Sequence, residues 1–215
     1  MGKIPEIARS EGLDGTIVMG IWALTSEEEW ANAVSQSPFV DGYCLGNEGL
    51  DVRYTVEELL SCMNRMRKET GLPVTTSEPM VKYFQEEYRH ALCVAPDWVF
   101  PIVHPFWDQP FDPKRAAQWV MVHCDYLSAV TGRNVIVKEA GFPSAGHERL
   151  SEDAQILFFN GIMGSGVRFF YFEAFDQPWK RTLDDTSSME AHWGLCRADG
   201  TPKKIVAFLM EQWVK

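Results

Sequence analysis

Two short apolar runs in this chain each end in a carboxylate, which puts two acids at the edge of whatever sheet the runs form. In Asn134-Val-Ile-Val-Lys-Glu-Ala-Gly-Phe-Pro-Ser-Ala-Gly146 an unbroken β-branched run leads to Glu139 and then into a Gly/Pro turn. In Asp41-Gly-Tyr-Cys-Leu-Gly-Asn-Glu-Gly49 a second run leads to Glu48, preceded by Asn47 and flanked by Gly46 and Gly49. A single such glutamate is more readily read as a loop cap or as the partner of a nearby lysine than as a catalytic acid. Two of them suggest a glycosidase pair, in which one carboxyl works as acid and base and the other as nucleophile. Lys138 directly precedes Glu139, so side-chain alternation along a strand points it away from the acid and into the helix layer.

Acids of this kind need a scaffold that brings them to one face. Short unbroken apolar runs are expected of strands buried on both faces of a parallel sheet, and six are present, at residues 16–21, 39–45, 74–77, 98–103, 134–137 and 167–172. Between them lie helical patterns. Residues 4–11 form a short helix with Pro5 in its first turn and Ile4, Ile7, Ala8 and Glu11 on one face. A second helix is opened by Thr25 or Ser26. A third has a Thr55/Glu58 capping box, an apolar stripe of Val56, Leu59, Leu60, Met63 and Met66, and a stop at Gly71 and Pro73. Residues 79–92 read as loop and helix. Asp112-Pro113 starts a helix carried by Ala116, Val120, Cys124 and Leu127, Ser151 caps another, and Thr201-Pro202 opens a last one with Val206, Leu209, Met210 and Trp213 inside. Strand and helix alternate as in successive βα units, with no linker, so residues 1–215 are expected to form a single α/β domain. Right-handed crossovers then carry every strand's C-terminal end to one face. Trp22, Glu48, Glu78, His104, Trp107, Glu139, Phe142 and Glu173 gather there, more polar and aromatic groups than helix-to-sheet packing requires. In α/β barrels that end carries the chemistry.

Composition narrows the partners. A chain of 215 residues with 46% hydrophobic content can bury a proper core. A formal net charge of −10 and the lack of a dense basic run disfavour nucleic acid and anionic membrane and suit a neutral ligand. No apolar segment approaches the roughly 18 residues of a membrane span, and the first residues lack a secretory apolar core, so no export signal is expected in the chain as given. The five cysteines are scattered and read as buried thiols. His90, His104, His123, His147 and His192 have no ligand-like spacing, and no strand leads into a Gly-rich helix start, so neither metal nor cofactor is expected.

Four stretches carry a family likeness. Leu45-Gly-Asn-Glu48, Lys138-Glu-Ala-Gly-Phe-Pro-Ser-Ala-Gly146, Phe172-Glu-Ala-Phe-Asp-Gln-Pro-Trp-Lys180 and His192-Trp-Gly-Leu-Cys-Arg-Ala-Asp-Gly-Thr-Pro-Lys203 resemble glycoside hydrolase family 17, the β-1,3-glucanases and glucanosyltransferases. The resemblance implies a TIM-barrel-like (β/α) fold. In that family the Asn-Glu motif follows the fourth strand and the nucleophile the seventh; here they follow the second and fifth, so a fold of about six strands, lacking the family's first two, is expected. Barrels of eight strands typically take about 250 residues. An open side would expose sheet edges, which leaves three outcomes: the six strands close or partly close alone with helices over the gap, two chains associate through the open side, or the chain is a fragment with reduced activity. Of these, an open barrel that forms a homodimer is favoured.

The resemblance also implies roles. Glu48 becomes the general acid/base and Glu139 the nucleophile of a retaining hydrolase acting on β-1,3-glucan, a reaction that needs the carboxyls about 5 to 5.5 Å apart. Charge on Glu139 would help keep Glu48 protonated at rest. Asn47 would bind the sugar 2-hydroxyl. Glu78 and Glu173 would contact hydroxyls or support the pair, and His104 would orient a carboxylate or touch sugar. Trp107, Phe142, where the family usually has Trp, and Trp179 would stack on pyranose faces, and Asp176 and Lys180 complete the expected substrate contacts. A glucanosyltransferase and a catalytically weak glucan-binding relative remain the alternatives. Members of the family are usually secreted, periplasmic or cell-wall associated; the residues themselves leave the compartment open.

Overall fold

The computed structural model describes residues 3–105, 111–181 and 188–213. The chain divides into two compact units, Met1–Pro101 with Thr131–Val135, and Ile102–Val130 with Ile136–Lys215.

The first unit is built on a parallel sheet in the order β1 (Val18–Ile21), β2 (Gly42–Leu45), β3 (Val74–Thr75). Every residue of β2 is buried, as expected of a central parallel strand covered on both faces. Pairing of Ile21 with Leu45 and of Tyr43 with Val74 sets the register that aims the end of β2 at Asn47 and Glu48. Helix α1 (Ile4–Ser10) precedes β1, α2 (Glu27–Ser35) follows it, and α3 (Val56–Thr70) joins β2 to β3. The α3 capping box is present, with Leu59, Met63 and Met66 buried beneath it and Gly71 ending it at φ +71°. Two expectations for this unit change. Ile4 and Ile7 are more than half exposed and only Pro5 of α1 is buried. Polar contacts hold that helix instead: Arg9 pairs with Asp41 at 2.7 Å and donates to the Phe39 carbonyl. Residues 79–94 form 3-10 turns (Met80–Phe84, Glu86–Tyr88) and a π turn (His90–Val94) in place of an α-helix.

The second unit holds most of α4 (Pro113–Thr131), then β4 (Val137–Ala140), α5 (Glu152–Met163), β5 (Phe169–Tyr171) and α6 (Lys204–Trp213). β4 and β5 pair in parallel with a register irregularity between Val137 and Ala140. The core includes Val120, Leu127, Phe142, Phe158, Ile162, Trp193 and Ile205. The inner face of α6 turns on Ile205, while Met210 is 63% exposed, opposite to expectation. The cause lies one residue before the helix. Lys203 is tied into the interior by Asp176 at 2.6 Å, which sets the rotational phase of everything after it.

Five strands form among the described residues where six runs were expected. The fourth run makes only isolated bridges, Val99 with Val135 in the first unit and Ile102 with Glu139 in the second. Pro101 stands between them and has no N–H to give a ladder, which breaks the strand. β4 also starts later than expected, so Glu139 lies within it rather than after it. All five cysteines are free thiols. Among the described residues no helix is long and apolar enough to cross a membrane.

Candidate active site

Glu139 sits near the C-terminal end of β4 with its side chain 16% exposed. His104 Nε2 lies 3.3 Å from Oε2, and the Lys138 ammonium contacts Oε1. Burial pushes the Glu139 pKa upward, but the His104 hydrogen bond and the Lys138 charge outweigh it and hold the acid at about 2. The His104 ring is itself set among aromatic rings. His104 packs edge-on against Phe172 and Trp193, with centroids 5.4 Å away in both cases, and Trp193 is buried. Glu173 follows β5 after a cis Phe172–Glu173 peptide. Its carboxyl is raised by burial against the opposing pull of Lys180 at 2.9 Å. An ionised, part-buried carboxylate beside a second acid and a cation suits attack on a carbon that is developing positive charge.

In the first unit, Glu48 is exposed on the turn after β2, with φ +49°, and its N–H donates to the Ser77 carbonyl at 3.0 Å. Asn47 precedes it, half-buried, and its carbonyl accepts from Arg53. The same guanidinium lies 3.7 Å from the centre of the Trp22 ring and donates to the Trp22 carbonyl. The Glu29 carboxylate receives the Trp22 N–H at 2.8 Å. Trp22 is therefore 56% exposed yet held at its backbone and on its ring.

Against known sequences, the model of the BtgE/BtgC glycoside hydrolase domain matches residues 1–194. The chain belongs to that family. The probable glucan endo-1,3-beta-glucosidase btgC of Aspergillus flavus is 29% identical over 193 residues, which cover 73% of this chain and 27% of the relative. The probable beta-glucosidase btgE of the same species is 30% identical over 158 residues, covering 67% and 25%. The chain thus spans about a quarter of the length of these relatives. Among solved structures, the glycoside hydrolase family 17 β-1,3-glucanosyltransferase of Rhizomucor miehei aligns over 92% of this chain and 78% of its own, with TM-score 0.73 and 21% identity. CJP38, a β-1,3-glucanase and allergen of Cryptomeria japonica pollen, aligns over 94% and 92%, with TM-score 0.65 and 13% identity. The BtgE/BtgC chain therefore has an α/β fold similar to those of glycoside hydrolase structures.

The residues expected at the site of this BtgE/BtgC domain separate into kinds. His104 Nε2 lies against the Glu139 carboxyl. Lys138 was expected to face away from Glu139 and does not. Its four-carbon stem, at the irregular point of β4, carries the ammonium back to the neighbouring acid. Phe142 has no exposed surface and stacks on Phe158, so it has no face to offer a sugar. Glu78 is likewise fully buried and cannot touch substrate. Asp176 is 9% exposed, and Lys203 and the Gly194 N–H, at 3.0 Å, both occupy its Oδ1. It serves the fold as an ion-pair partner rather than as an open sugar contact. Trp179 is 76% exposed and Lys180 bridges towards Glu173 and the Phe172 ring. Trp107 lies outside the described residues. Arg53, Tyr54 and Lys82 carry contacts that residue types alone did not suggest, although the glycines flanking Asn47-Glu48 already signal that something bulky approaches that backbone.

Proposed function

We propose that this BtgE/BtgC domain belongs with glycoside hydrolase family 17 and cleaves β-1,3-glucan with retention of configuration. Glu139 attacks the anomeric carbon and forms a glycosyl ester as Glu48 gives its proton to the departing oxygen. Glu48 then takes a proton from water or a sugar hydroxyl, which attacks the anomeric carbon and breaks its bond to Glu139, freeing the carboxylate. The observation that carries the reading is the setting of Glu139. A nucleophile must be ionised and open to substrate, and Glu139 is held at about 2 by His104 and Lys138 while keeping part of its carboxyl exposed. The names of the relatives point to the same substrate, β-1,3-glucan.

On this reading Asn47 binds the 2-hydroxyl at the cleavage site, Glu173 and Lys180 contact neighbouring hydroxyls, and Trp22 and Trp179 offer exposed rings to pyranose faces. Passing the ester to water gives hydrolysis, and passing it to a second glucan gives transfer.

The test compares wild type, Glu139→Gln and Glu48→Gln on laminarin, following reducing ends and the anomer released first by NMR. The β-anomer should appear first, and Glu139→Gln should lose activity by orders of magnitude. First release of the α-anomer, or an active Glu139→Gln, overturns the mechanism. Product lengths at high laminarin concentration separate hydrolysis from transfer.

A further inference from the structure

We infer that Glu78 is a positioning residue for Glu48, acting through the backbone of the turn that carries it; this rests on the acid/base role proposed above. Glu78 follows β3 and is fully buried. Three donors converge on its Oε1: the Gly49 N–H at 2.9 Å, the Leu50 N–H at 3.0 Å and the Tyr54 hydroxyl at 2.8 Å. All three come from the residues just after Glu48. The Lys82 ammonium, 3.8 Å from Oε2, donates to the Leu50 carbonyl at 2.6 Å and closes the far side of the turn.

The backbone being held is an unusual one. Glu48 has φ +49°, in the sparsely populated left-handed region, and a non-glycine residue stays there only where its surroundings over-determine it. On one side its N–H is taken by the Ser77 carbonyl; on the other, the next two N–H groups are taken by Glu78. The Tyr54 side chain fills the space beside the turn so closely that a Cβ on Gly46 would fall 2.3 Å from its hydroxyl and one on Gly49 2.2 Å from its ring. Burial, and then the adjacent Glu78 carboxyl, push the Tyr54 phenol well above its ordinary range, so its hydroxyl remains a donor to Glu78. The segment after β3 thus sets the direction in which Glu48 leaves the chain. A buried acid that merely ties two loops together would make the same bonds, so the test must read the acid's chemistry rather than the fold.

Proton donation matters for a poor leaving group and little for a good one. The measurement is kcat/KM on phenyl and 2,4-dinitrophenyl β-laminaribiosides for full-length wild type, Glu78→Ala, Glu78→Gln, Tyr54→Phe and the reference variant Glu48→Gln, each with a melting temperature. Loosening the turn by about an ångström should slow the phenyl substrate on the order of 100-fold in Glu78→Ala, with a far smaller effect on the dinitrophenyl substrate. Glu78→Gln keeps a carbonyl oxygen for the three donors and should recover most of the loss. Tyr54→Phe should show the same leaving-group signature in smaller measure, and carries the test if Glu78→Ala does not fold. Equal loss on both substrates, or a lowered melting temperature with both rates intact, would falsify the positioning role. A Glu48→Gln variant that slows both substrates equally overturns the acid/base assignment itself and this inference with it.

Discussion

Glu139 is a carboxylate on which burial and its neighbours pull in opposite directions. Burial alone would raise its pKa, and His104 and Lys138 reverse that to about 2. Because the folded-state value is depressed, the ionised acid stabilises the fold above the ordinary carboxylate range, and that contribution is lost as pH falls through about 2. In Lys138→Met or His104→Ala the burial effect is less opposed. If Glu139 is the proposed nucleophile, the acid limb of kcat/KM on laminarin should then move to higher pH than in wild type, as pH-rate profiles would show; an unmoved limb would mean these neighbours do not tune Glu139. Phe142 makes a complementary case. Its position in the motif invited a sugar-stacking role, yet it lies in the core against Phe158. Phe142→Ala should cost about 3 to 5 kcal/mol in urea unfolding, the cost of an emptied core site. Residue type alone cannot separate these outcomes, because exposure is a property of the neighbours.

At the scale of elements, periodic and capped segments were readable in advance. α3 has its Thr55/Glu58 box, its Leu/Met stripe and its Gly71 stop where the residues placed them, because those signals are local. The ends of β4 and α6 were not readable, since each is set by a distant partner. β4 begins at Val137, where Phe169 pairs with it, and the phase of α6 follows from Lys203 reaching Asp176 and the Ser144 hydroxyl. Lys203 is almost wholly inaccessible, so Lys203→Met takes the ammonium from the buried Asp176 carboxylate and leaves it the Gly194 N–H and the His192 ring 3.8 Å away. A loss of about 3 to 5 kcal/mol is expected, seen as a lowered melting temperature, with a Lys203→Met/Asp176→Leu double variant recovering part of it. A change near zero would show that α6 is held by its apolar contacts alone.

Over the whole molecule, the formal net charge of −10 gives long-range attraction for cations and none for a neutral polysaccharide. If the substrate is uncharged glucan, KM on laminarin should change by less than about twofold between roughly 0.05 and 0.5 M NaCl, a range over which screening lengths shrink several-fold; a strong salt dependence would point to a charged ligand. The amino-acid sequence by itself determined the alternation of strand and helix, the two acids at strand ends and the family likeness, all carried by apolar periodicity and short contiguous motifs. Tertiary structure alone decided that Lys138 turns back to Glu139, that Glu78 and Phe142 are closed to solvent, that Asp176 belongs to a buried ion pair, and that the fourth run breaks at Pro101. The closure of Glu78 and Phe142 and the Asp176 pair depend on contacts between residues far apart in the chain. The turn of Lys138 depends on the register irregularity where β4 meets β5, and the break at Pro101 on which neighbours pair on either side of it. Neither side-chain type nor spacing encodes which distant group will fill a given volume.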